Sequence, residues 1–269
     1  MNGARVLAMI SKELRELRRN RMAFVPVVIM AVVALAIPFL VTFGMPMLTG
    51  QPLSADQNFA RAVATVARGS IRYQQLTQEA ALEAFVFEQC LLLFVLIPIA
   101  GSVSLAAYAV IGEKQGRTLE ALLATPITSG ELLLAKMVAG LLPPLAIEAA
   151  ALALLFGLVA LFAPAIMPVI WTPRMLLIVG LVGPLGAMAS LQATVAVSAR
   201  VNDPRTAQQV AVFFVVPISG LLVAQFSGGY YISTAGLLVV SAVLAVAWII
   251  FLLLAIALFD RETILTRWK

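Results

Sequence analysis

Residues 232–258 read ISTAGLLVVSAVLAVAWIIFLLLAIAL, a run of 27 positions without one Asp, Glu, Lys or Arg. A helix rises about 1.5 Å per residue, so this run covers roughly 40 Å, enough to cross the ~30 Å hydrocarbon core of a bilayer. Runs with few or no charges also occupy 24–46, 84–111, 132–162, 175–199 and 207–226, giving six expected spans. The fifth is interrupted by Pro217 and by Ser219-Gly220. Such breaks are tolerated in lipid only where neighbours re-satisfy the backbone, so its outer end is expected to be a short re-entrant piece.

Composition agrees. Of 269 residues 62% are apolar and 12% charged, and the mean hydropathy is +1.03. One soluble core does not hide that much apolar surface, so lipid is part of the solvent. The fold class expected is all-α, a single polytopic membrane domain over 1–269. The 18 Lys and Arg against 13 Asp and Glu do not form a basic stripe interleaved with aromatics, which argues against nucleic acid as a partner. With no histidine the commonest general base and metal ligand are missing, so no catalytic residue and no metal site is assigned. The lone Cys90 lies in an apolar run and excludes an intrachain disulfide.

The cations sort by topology. With six alternating spans, one side holds 14 of them, in the leader, the loops near 114 and 200, and the ending, while Arg61, Arg68, Arg72 and Arg174 fall on the other. The positive-inside rule then places both termini in the cytoplasm, and the leader and first span lack a signal-peptide cleavage pattern. In the leader, 1–21, Val6, Ile10, Leu14 and Leu17 share a helical face, with Lys12, Glu13, Arg15 and Glu16 on the others. This predicts a helix lying in the inner interface. Tyr230, Tyr231 and Trp171 fall at outer boundaries and Trp268 at an inner one, as anchors do. The segment 48–83 is the sizeable outer loop; it either caps the exit or connects.

The second inside loop reads EKQGRTLEALLATPITSGEL over 113–132. Thr118 is a plausible cap, Leu119, Leu122 and Leu123 make an apolar face, and Pro126 ends the turn, leaving a short amphipathic helix. Thr128 then caps the next helix, with Glu131 completing a capping box.

These residues, from Glu113 through Thr125-Pro126 to the Glu131 and Lys136 beyond, resemble the permeases of the type-2 ATP-binding-cassette exporter family. The segments 198–209 and 259–269 are similar to the same family. The resemblance implies ATP-driven export across the plasma membrane, with two permease copies or a sibling permease around a central path. It also implies a separate cassette ATPase that carries the ATP and Mg, so that no cofactor sits on this chain. Coupling is implied to run through Glu113, Arg117, Thr118, Leu119, Glu120, Leu122, Leu123, Thr125 and Pro126. The stretch from Gly112 to Thr118 is not a P-loop: it has three residues between its glycines, Arg where Lys belongs, and a membrane helix before it. The chain is therefore expected to be a transporter subunit and not an enzyme.

Glu148 lies near mid-depth of the third span, where a carboxylate costs at least about 2.5 kcal/mol and must face the bundle interior. It belongs either to a polar pathway with Ser190 and Thr194 or to structural packing against Ser190 or Gln192. Gly186, Ser190, Thr194 and Ser198 form one stripe of the fourth span, favouring helix packing over pathway lining. Pro143 and Pro144 predict a kink one turn away. Glu88 and Gln89 fall near an outer boundary, within reach of headgroups. The alternative function is an ion-coupled secondary carrier or channel, which would need several such mid-depth groups.

Overall fold

The structure, a computed structural model, describes residues 3–55, 60, 61, 63, 64, 66, 67, 70–116, 128–226 and 232–258. Among these none is in a strand, and six helices are long and apolar enough to cross a membrane. The chain is an all-α polytopic membrane protein. Segment 117–127, Tyr230, Tyr231 and the ending from 259 with Trp268 lie outside the described residues.

Helix α1, Gly3–Arg19, precedes the spans α2 (Arg21–Thr49), α3 (Gln78–Gln115), α4 (Ser129–Phe162), α5 (Pro173–Ser198), α6 (Pro204–Phe226) and α7 (Thr234–Leu258). Each expected apolar run corresponds to one of them, with ends differing by a few residues. Four spans start on a polar cap, because the first N–H groups of a helix have no partner inside it. Thr77 accepts from the Ala80 N–H, Thr172 from Met175 and Asp203 from Thr206. Thr128 accepts from the Glu131 N–H while the Glu131 carboxylate accepts from that of Thr128, the capping box that the sequence predicts.

Helix α3 is the axis of the bundle. It is apolar all round, and α2, α4, α5 and α6 pack around it, so that Phe85, Phe87, Phe94, Leu91 and Ile97 are all buried in protein. Helix α7 lies against α5. The outer helices keep their apolar faces exposed, Val239 and Leu253 among them, as surfaces solvated by lipid do. Close packing at the axis depends on missing side chains. A Cβ on Gly101 would lie 2.7 Å from Cβ of Pro144, and one on Gly186 would lie 2.9 Å from Cδ1 of Ile99.

One local expectation changes. Helix α6 runs unbroken from Val212 to Phe226 through Pro217, and its irregular stretch, the 3₁₀ turn Gln209–Ala211, is at its start. Proline removes one hydrogen bond but its fixed φ is helical, so a span held by neighbours continues through it. Pro143 and Pro144, where the sequence predicts a kink, lie inside helix α4. Two further departures from regular helix are π-helical turns, Leu40–Gly44 in α2 and Ile178–Val182 in α5.

Candidate functional site

The chemistry concentrates where α1, α3 and α4 meet at the basic end. Lys136 of α4 lies 3.1 Å from Oε1 of Glu13 and 2.7 Å from Oε2 of Glu113, with all three side chains at most 5% exposed. Lys12 reaches Oε1 of Glu113 at 2.9 Å and Oε2 of Glu16 at 3.0 Å from the solvent side. Two lysines and three carboxylates thus join three helices distant in sequence. Burying them costs several kcal/mol per ion, recovered only when every charge is paired.

The face of α1 is accordingly rotated from the apolar one that its periodicity predicts. Val6, Met9, Glu13 and Leu17 are buried, whereas Ile10 and Leu14 are only half-buried. Lys136 sits 123 positions away and turns an acidic residue inward. Burial raises the Glu13 carboxyl above its ordinary value, although Lys136 opposes this. For Lys12, burial would lower the ammonium, but the hydrogen bond and charge of Glu113, with Glu13 and Glu16, hold it above the ordinary lysine value. Glu13, Glu16 and Glu113 have the spacing of a metal site. Lys12 already lies within 3.5 Å of an oxygen of each, and no cation site is assigned.

The next residue faces the other way. Lys114 donates at 3.0 Å to the carbonyls of Ser198, Ala199 and Val201, at the C-terminal end of α5 where helix carbonyls lack partners. Gln115 donates to the Asn202 carbonyl and Gln208 to the Ser104 hydroxyl. Residues 113–116 and 198–209, two of the segments that carry the resemblance, are therefore in contact. Of the predicted coupling residues, Glu113 is in this lattice, while Arg117, Thr118, Leu119, Glu120, Leu122, Leu123, Thr125 and Pro126 lie outside the described residues.

Glu148 is 2% exposed, and its Oε1 has no hydrogen-bond partner among the described residues. It does not bond Ser190 or Gln192. Its neighbour is Gly183, just past the π-helical turn of α5, where an added Cβ would lie 3.3 Å from Oε1 and 3.8 Å from Cγ of Pro98. The hydroxyls of Ser190 and Thr194 are buried and donate within their own helix, to the carbonyls of Ala187 and Ser190.

At the opposite end a second buried ion pair appears that the sequence hides. Arg174, on the first turn of α5, lies 2.5 Å from Glu88 of α3 and donates at 2.9 Å to Gln225 near the end of α6. Tyr73 of the turn Ile71–Gln74 donates to Glu88 at 2.6 Å. Glu88 and Gln89, expected within reach of headgroups, are instead 5% and 0% exposed. Segment 48–83 contributes to this burial, with its Leu53, Val63 and Tyr73 in the bundle's core.

The family model for the ABC-2 family transporter proteins matches residues 7–236. No curated protein matches the chain. The matched stretch takes in α1, the first five spans and both basic-end segments just described. With six spans and most of its length in that match, the chain belongs to the ABC-2 transporter family, as a multi-pass membrane permease.

Proposed function

We propose that this chain is the permease subunit of an ATP-driven exporter in the plasma membrane, with both termini cytoplasmic. It pairs with a second copy or a sibling permease around the path. A separate cassette ATPase binds ATP and Mg and hydrolyses it. The observation that carries this reading is the end of α3: Glu113 and Lys114 hold α1, α4 and α5 immediately before 117–127. A push on that segment reaches four helices through buried charged contacts, which is what driving alternate access in a bundle requires. Recovery of a cassette ATPase with the tagged chain from native membranes, and ATP-dependent transport by the complex, test it; recovery of the permease alone would overturn it.

Orientation has its own test. Cysteines placed at Ser54 and Ser129 are expected to react with an impermeant reagent from opposite faces, Ser54 from outside and Ser129 from the cytoplasm. Reaction of both from one face would refute the arrangement.

Glu148 keeps the carrier reading in view, since it is a mid-depth carboxylate with one oxygen unpartnered among the described residues. An ion-coupled carrier needs more than one such group. We assign Glu148 to the pathway, so Glu148→Gln is expected to keep assembly and lose transport. Wild-type transport by that variant would return Glu148 to structural packing.

A further inference from the structure

We propose that the groove between α5, α6 and α7 at the basic end binds one anionic phospholipid of the inner leaflet, headgroup on Arg200 and acyl chain along the groove. The cavity measures about 540 Å³, within the range of specific small-ligand sites. Its floor is Ala193 and Ala196 of α5, small enough to leave a trough. Phe213 on α6 and Phe251 and Leu254 on α7 form the walls. Phe213 is 79% exposed, so the groove is open on its α6 side.

Among the described residues Arg200 is the one charged residue lining the groove, and it stands just past the end of α5. Lys12, Lys114, Lys136 and Arg174 all meet carboxylates or carbonyls of the protein. Arg200 has no side-chain partner among the described residues, so its guanidinium is available to a phosphate, which it fits bidentately. An apolar trough ending in one cation is the complement of an anionic lipid. The inner-leaflet assignment rests on the orientation proposed above; the site itself does not depend on ATP.

The test is native mass spectrometry of the full chain in detergent, offered phosphatidylglycerol and phosphatidylcholine of the same acyl composition. The wild type is expected to retain the anionic lipid about fivefold over the neutral one, the effect of one well-placed arginine. Arg200→Gln should bring the ratio near one. Arg205→Gln, which removes an exposed cation outside the groove, should leave it unchanged. Ala196→Trp should reduce retention of both lipids by filling the floor. An unchanged ratio in Arg200→Gln would overturn the proposal, as would an equal loss in Arg205→Gln, which would mean diffuse surface charge. Efficient disulfide crosslinking of Phe213→Cys between copies in native membranes would also overturn it, giving the groove to a second copy. If Arg200→Gln fails to change the ratio while Ser129 still labels from the cytoplasm, the lipid site fails and the orientation stands.

Discussion

Replacing Lys136 by Met is expected to cost the purified chain about 3–5 kcal/mol of stability, because it leaves Glu13 and Glu113 facing each other in a buried site with only Lys12 to answer both. The deficit should depend on pH, and the sign follows from Glu13. Burial already raises its carboxyl, and loss of Lys136 removes the largest force lowering it. A carboxyl raised in the folded state binds its proton more tightly there than in the unfolded chain. Its penalty is fully present at neutral pH and shrinks as pH falls through the raised value. The variant should therefore recover toward the wild type on mild acidification. Adding Glu13→Leu should restore most of the loss at neutral pH, since the remaining Lys12–Glu113 pair is balanced and two apolar side chains replace a buried charge pair. Thermal unfolding of the four members of this cycle, read by helical signal in detergent, checks it. Additive losses would mean that the lattice is not coupled.

The consequence reaches beyond stability. Helix α1 is held to α3 and α4 by Glu13, Lys12 and a strip of apolar contacts around Met9 and Leu17. If 117–127 receives force, the lattice next to it decides how much reaches α1 and α4 and how much is lost as local bending.

What the sequence discloses depends on the range of the cause. Six spans are legible because hydrocarbon thickness sets their length and each run is contiguous. The capping box at Thr128 and Glu131 is legible because its partners are three residues apart. The inward turn of Glu13 is not, since Lys136 is 123 positions away and periodicity sees only the helix itself. Glu88 was expected near headgroups for the same reason: Arg174 and Tyr73, which bury it, come from other segments. For Glu148 the depth is readable from its place in the run, but its neighbour Gly183 follows from the π-helical turn of α5, which shifts the register of that helix. The coupling residues from Arg117 to Pro126 stand on the sequence motif and family membership.

The second large effect is expected from Leu119→Asp with Leu122→Asp. The sequence predicts both on the apolar face of a short helix that Thr118 begins and Pro126 ends, and such a face in cytoplasm requires cover. We assign that cover to the ATPase, with Arg117 and Glu120 at a polar rim. Two carboxylates in a packed contact cost about 2 kcal/mol or more each, together roughly a thousandfold in affinity. Insertion into the membrane should survive, because both positions lie outside every span. The most direct test is ATP hydrolysis and transport by the reconstituted permease–ATPase complex, wild type beside the double variant. The variant is expected to lose the ATPase on purification, or to retain hydrolysis that no longer moves cargo. Wild-type retention of the partner and wild-type transport per ATP would contradict it.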